Sequence, residues 1–266
     1  MKKDKQILSV KNLNISFTQY YKGLRAKRVN PIKSLSVTIN AGEIMAVIGA
    51  SGSGKSLLAH AILGILPNNA TCGGDIIYCG EPLTEERKIQ LRGKEISFIP
   101  QSVNYLDPLM RVSEQVKIGL PKKEADKKQK ELFLRYGLKE KDGALYPFQL
   151  SGGMLRRVLF ATSVRDNIKL VIADEPTPGI HPEALSAMLN QLRTFADDGA
   201  AVMLITHDIV SALTVCDRVT VLKDGQTIET TMAENFSLDG RNLKHEYSRA
   251  LWNALPQNSF SIYKEV

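Results

Sequence analysis

The chain has 266 residues, 43% hydrophobic and 24% charged, which suits one large domain with its own core and no need of disulfide or metal staples. A formal net charge of +7 permits contact with nucleic acid or an anionic membrane surface but argues for neither, and no nucleic-acid partner is expected. No apolar run reaches the roughly 18 residues of a membrane span, and Met1-Lys2-Lys3-Asp4-Lys5 leads into no apolar signal segment, so the chain is expected to stay in the cytoplasm.

Residues 7–17 alternate and are rich in Ile, Leu, Val and Phe, which predicts a strand. Gln19 to Pro31, with Gly23, Tyr20, Tyr21 and several basic residues, breaks the pattern and reads as a loop. A strand is expected at about 32–39, then the turn Asn40-Ala41-Gly42 and the apolar strand Ile44-Met45-Ala46-Val47-Ile48. Gly73 to Tyr78 predicts another strand, Thr84-Glu85-Glu86-Arg87 a capped short helix, and Ile96 to Gln101 a strand that ends at a glutamine. From about 106 to 165 strand signals vanish and charged helical patterns dominate, a helical insertion broken by Pro108, Pro121 and Pro147. Alternation then resumes: a strand at Lys169–Ala173, a helix from Pro182 to Ala196, a strand at Ala200–Ile205 and a helix at 208–215. A hairpin turns at Lys223-Asp224-Gly225-Gln226, and a helix at about Leu243–Ala254 ends a C-terminal extension, 232–266. The fold class is α/β: a core with a mixed sheet, an antiparallel β subdomain and a helical subdomain, in one domain over 1–266. Cys72, Cys79 and Cys216 fit no metal spacing and read as reduced thiols. The basic cluster Lys122–Lys130, interleaved with Glu124 and Asp126, reads as the solvated face of a helix.

The chemistry centres on Gly49-Ala50-Ser51-Gly52-Ser53-Gly54-Lys55-Ser56, which meets the pattern G-x-x-x-x-G-K-[ST] between a strand and a helix. Its glycines let successive N–H groups turn inward onto phosphate oxygens, and the new helix aims its positive end at the same point. Lys55 can reach the β- and γ-phosphates of a nucleotide, and the Ser56 hydroxyl can hold Mg²⁺. Leu170-Val171-Ile172-Ala173-Asp174-Glu175 ends a strand in two carboxylates: Asp174 to bind Mg²⁺ through water, Glu175 to orient or deprotonate an attacking water. His207 ends another strand within reach of a γ-phosphate, and Gln101 offers an amide oxygen to Mg²⁺ or water. Ser151-Gly152-Gly153 opens a helical run, Leu155 to Val164, and is either an ordinary N-cap or a second anion site. Two phosphate sites so far apart suggest that the second serves a nucleotide held by another subunit.

In this order, the phosphate loop, Gln101, Leu150-Ser151-Gly152-Gly153, Leu170–Glu175 and His207 resemble the ATP-binding subunits of ABC transporters over nearly the whole chain. The resemblance implies ATP and Mg²⁺, a head-to-tail dimer in which Ser151-Gly152-Gly153 covers the partner's ATP, and an aromatic stacked on adenine. Tyr20 and Tyr21 both fit that last role. Tyr146-Pro147-Phe148-Gln149-Leu150-Ser151-Gly152-Gly153-Met154 and His245-Glu246-Tyr247-Ser248-Arg249-Ala250-Leu251 are similar to the oligopeptide, dipeptide and nickel importer branch, and Leu63-Gly64-Ile65-Leu66-Pro67 resembles its nickel members. No cysteine follows Cys216, unlike the peptide members that carry a C-terminal iron–sulfur cluster. Arg156 stands where the branch usually has Gln. His181, in Thr177-Pro178-Gly179-Ile180-His181-Pro182, stands where the family has an interface Asp, which implies two unequal ATP sites and a second, non-identical ATPase subunit.

The function so implied is ATP hydrolysis powering import of nickel or other metal chelates or of short peptides. Gln101 would link γ-phosphate occupancy to two integral membrane permeases, with an external solute-binding protein supplying cargo and this chain lying on the cytoplasmic face of the membrane. Two other readings compete. An exporter ATPase for lipids or antimicrobial peptides is disfavoured by Met154 and the Tyr247 segment, and a soluble non-transport ABC ATPase by the absence of a second cassette or a long coiled-coil insertion.

Overall fold

The computed structural model describes residues 5–21, 25–163, 165, 167–176, 182–237 and 240–255. Its centre is a run of parallel strands: β3 (Ile44–Gly49), β6 (Ile96–Ile99), β7 (Leu170–Asp174) and β8 (Ala201–Ile205), ordered β3-β8-β7-β6. Every residue of β3, β7 and β8 is buried, the consequence of apolar runs covered on both faces. Ile44, Ala46, Ile48, Val171, Ala173, Val202 and Leu204 enter one core, while Met45, Val47, Leu170, Ile172, Met203 and Ile205 enter a second on the opposite face. β9 (Arg218–Lys223) pairs parallel to β3, and β10 (Gln226–Met232) turns back against it.

The second core is closed by α1 (Lys55–Leu63) and by an antiparallel layer of β1 (Gln6–Tyr21), β2 (Arg25–Asn40), β4 (Ala70–Tyr78) and β5 (Glu81–Pro82). Leu8, Val10, Leu13, Leu35, Val37 and Ile39 bury the inner face of that layer. The expected loop over Gln19–Pro31 is corrected at its described residues: Tyr20 pairs with Ala26 and Tyr21 with Arg25, so Gln19–Tyr21 extend β1 and Arg25–Pro31 belong to β2, while 22–24 lie outside the described residues. The far part of β2 is largely exposed, so no apolar period marks it; ladder hydrogen bonds alone make it a strand. Pro31, which cannot donate to a ladder, sits at a bulge: Ile15 faces Ile32 and Phe17 faces Val29, which leaves two residues of β2, Asn30 and Pro31, against one of β1, Ser16.

The first core is closed by helices: α3 (Val112–Lys117), α4 (Ala125–Arg135) and α5 (Gly152–Ser163), with α6 (Pro182–Asp197), α7 (Ile209–Leu213) and α8 (Glu246–Asn253). The capped helix expected at Thr84 is α2 (Glu85–Leu91), with the Thr84 hydroxyl accepting from the Arg87 N–H. Buried Gln115 on α3 pins the segment after β6: its amide accepts from the Asp107 N–H and donates to the Asp107 and Met110 carbonyls. Residues after β10 join this core through Phe236, Leu243 and Trp252, and Glu229 accepts the N–H groups of Lys244 and His245.

Candidate nucleotide site

The parallel order brings strand ends from distant sequence to one edge. β3 ends in the phosphate loop, β6 leads to Gln101, β7 ends at Asp174 and β8 leads to His207. The carboxyl edge of such a sheet is where ligands bind, because loops there open a crevice. An open cleft of about 480 Å³ lies at that edge, lined by Ser51, Gly52, Gly54, Lys55, Ser56, Gln101, Glu175 and His207.

The loop's local geometry follows from its glycines. Gly49, Gly52 and Gly54 have φ of 154°, 79° and 101°, values that side chains oppose. Gly54 closes the loop against Ile32, whose Cγ1 would lie 2.9 Å from an added Cβ. Lys55 Nζ donates to the carbonyls of Gly49 (2.9 Å) and Ala50 (3.1 Å), which curls the ammonium back over the loop. Burial lowers the Lys55 pKa, and the nearby carboxylates of Glu175 and Asp174 oppose that shift. The Ser56 hydroxyl donates to Asp174 Oδ1 at 3.1 Å. Burial raises the Asp174 pKa, against the pull of the Ser56 hydrogen bond.

Glu175 adopts φ 44°, the left-handed region that a non-glycine residue enters at a cost, and its N–H is tied to the Ile205 carbonyl at 2.8 Å. That twist takes the carboxylate off the β7 axis to meet His207 Nδ1. The carboxylate is mostly covered and the imidazole mostly exposed, so His207 is the outer member of the pair.

The donor set fits a magnesium nucleotide. Ser53 Oγ is buried in the loop without a hydrogen-bond partner, and a Cβ at Gly52 would meet nothing within 4 Å, so loop and open space match an oxyanion ligand. Ser56 and Asp174 would hold Mg²⁺, an ion that takes few protein ligands and keeps waters and phosphate oxygens. Among the described residues no group of three His, Cys, Asp or Glu could hold a metal by itself.

Ser151, Gly152 and Gly153 do not join this cleft. They are exposed at the start of α5, where Ser151 Oγ accepts from the Met154 N–H at 3.3 Å. Tyr20 and Tyr21 lie at the far end of the β1–β2 hairpin, beyond Phe17, and their side chains lie outside the described residues, as does His181. Two lining residues, Pro31 and Leu57, had no role in the sequence reading. Leu57 follows Ser56 directly and was available from the motif; Pro31 arrives through the β1–β2 bulge and had no local signal.

Residues 32–178 match the family model described as ABC transporter. The chain belongs to the ABC transporter family. It is 34% identical, over 98% of its length, to the oligopeptide transport ATP-binding protein OppD of Bacillus subtilis (strain 168), covering 75% of that protein. It is 28% identical, over 99% of its length, to the dipeptide transport ATP-binding protein DppD of Lactococcus lactis subsp. cremoris (strain MG1363), covering 77% of it. A solved dimeric ATP-binding cassette in a post-hydrolysis state, bound to ADP and Pi, matches with a TM-score of 0.72 at 25% identity, over 85% of this chain and 99% of that one. As an ABC ATP-binding domain the chain is an ATPase, with the mixed α/β fold of its family. No helix among its described residues is long and apolar enough to cross a membrane.

Proposed function

We propose that this chain is the ATP-hydrolysing subunit of a peptide importer, lying on the cytoplasmic face of the membrane with two permeases, an external solute-binding protein and a second, non-identical ATPase subunit. The observation that carries the reading is the meeting of Lys55, Ser56, Gln101, Glu175 and His207 at one cleft while Ser151-Gly152-Gly153 lies exposed elsewhere. Each cleft is then completed by the other subunit's copy of that segment. The names of the relatives support peptide over metal-chelate cargo. The segment Leu63–Pro67, which resembles nickel members, has a local account: Gly64, at φ 64°, ends α1, with its N–H on the Ala61 carbonyl and the Ile65 N–H on the His60 carbonyl.

The residues divide the work as follows. Lys55 and the loop N–H groups hold the β- and γ-phosphates. Ser56, Asp174 and the Gln101 amide hold Mg²⁺, which supplies positive charge to the phosphates when bound. Glu175 orients and deprotonates water, and His207 keeps that carboxylate aimed while its exposed side reaches the γ-phosphate. Closure on ATP shifts the permeases because only the closed dimer gains the second set of contacts. A groove of about 400 Å³ beside Gln101, lined by Ile65, Phe98, Tyr105, Leu106 and Ile118, supports this side as the permease contact.

The test is Glu175→Gln in the complex co-purified with its permeases. ATP binding and dimerisation persist, and turnover falls by about 100- to 10,000-fold, the range of a lost general base. Full ATPase activity in that variant would overturn the role of Glu175.

A further inference from the structure

We propose that Arg156 is a positioning residue for ATP hydrolysis: it fixes the backbone of Gln101 and so ties the nucleotide cleft to the helix that begins with Gly152-Gly153. This rests on the reading of Gln101 as a nucleotide-site residue and adds to it a residue that touches no nucleotide.

Arg156 Nη1 donates to the Gln101 carbonyl oxygen at 2.7 Å, across 55 residues of sequence. Gln101 needs such a hold. It lies two residues beyond the end of β6, outside the ladder that fixes Ile96–Ile99 against β7, yet its side chain must stay at the cleft. An arginine suits the task because its cation stays charged and its long stem reaches across from α5 to a neutral carbonyl.

Arg156 stands five residues after Ser151, about 7.5 Å farther along the helix axis. At the other end of α5 the buried Ser97 of β6 donates its hydroxyl to the Ser163 carbonyl. α5 is therefore fastened to the β6 segment twice, once near its signature end and once at its last residue. Val158, Leu159, Phe160 and Ala161 pack between the two fastenings, so α5 has a fixed seat on the core. A partner that engages Ser151-Gly152-Gly153 then acts on the same rigid helix that holds Gln101. Hydrolysis on one subunit's cleft thereby senses whether that subunit's signature face is engaged.

The experiment compares Arg156→Met, which keeps an apolar stem, Arg156→Lys, which keeps a donor cation, Gln101→Ala, and the Arg156→Met/Gln101→Ala double variant, all in the assembled complex. Arg156→Met is expected to lower kcat about ten-fold with KM for ATP within about two-fold, and Arg156→Lys to recover part of the loss. In the Gln101→Ala background Arg156→Met is expected to add less than about two-fold, because both changes remove the same positioning. Amide exchange over 100–105 is expected to speed up in Arg156→Met while the melting temperature and exchange in β3 hold. An unchanged kcat in Arg156→Met beside an impaired Gln101→Ala overturns the proposal alone. The full ten-fold loss persisting in the double variant also overturns it, since Arg156 would then act elsewhere. An unimpaired Gln101→Ala overturns it together with the role of Gln101.

Discussion

The phosphate loop has three glycines at positive φ, and the structure ranks what an alanine would cost at each. At Gly49 an added Cβ would lie 2.3 Å from the Leu222 carbonyl oxygen and 2.8 Å from Ser53 Oγ. Carbon and oxygen pack at about 3.3 Å, so the Leu222 backbone must retreat by roughly 1 Å. That backbone belongs to β9, paired with β3 at Gly49↔Leu222 and buried, so the retreat breaks a ladder in the core. At Gly52 the same Cβ meets nothing within 4 Å and only φ 79° opposes it, at a cost of about 1–2 kcal/mol. Gly54 lies between: its Cβ approaches Ile32 Cγ1, a side-chain atom rather than the backbone of a ladder. Gly49→Ala should therefore cost about 3–5 kcal/mol, the overpacking clash and backbone strain adding. For a chain of this size that is a fall in Tm of roughly 10 °C, against a few degrees for Gly52→Ala. Urea unfolding and thermal melts without nucleotide, paired with ATP affinity, separate the two: Gly49→Ala melts well below the parent, and Gly52→Ala stays close to it while weakening the phosphate cradle. Equal melting temperatures for the two variants would refute the reasoning, because the open loop and the buried ladder would then be equivalent.

Two further expectations follow from buried polar groups. Because burial raises the folded pKa of Asp174 above its unfolded value, the cost of its ionised form is absent below the unfolded pKa, grows as pH rises between the two and is complete once pH exceeds the folded pKa. Asp174→Asn should thus melt higher than the parent at pH 8, with the gap closing toward pH 4, while Mg²⁺-dependent ATP binding is lost; a variant that melts lower at pH 8 would contradict this. Gln115→Ala removes all three hydrogen bonds that hold Asp107–Met110 and strands polar groups, at about 2–4 kcal/mol, with faster amide exchange confined to that segment; unaltered exchange there would sink the account.

What could be read from the sequence was what neighbours in sequence decide. Gly49–Ser56, Asp174-Glu175 and His207 are short motifs at the ends of apolar runs, and a parallel sheet covered on both faces has to place such ends on one edge. The strand pairing of Gln19–Tyr21 with Arg25–Lys27 was missed because the exposed side chains of Arg25–Arg28 carry no pattern and ladder pairing alone makes these residues strand. Pro31 and Arg156 were visible in the sequence but carried no site role there, for a related reason. Proline reads as a breaker until a bulge accommodates it, and Arg156 reads as a helix-surface charge until the fold sets the Gln101 carbonyl before it. The departure from the family's glutamine at position 156 was visible, but its partner, 55 residues upstream, was not.

The two cores on either side of the parallel strands divide the molecule's tolerance for change. Met45 and Ala46 are neighbours in one strand, yet Met45 packs toward α1 and the antiparallel layer and Ala46 toward the helices. Substitutions that recontour the helical face need not disturb Met45, Val47 or the α1 side chains Leu58 and Ile62 on the other side. Such a chain can drift on its helical side, one methylene at a time, while the packing that seats α1 beneath the phosphate loop stays inherited and intact.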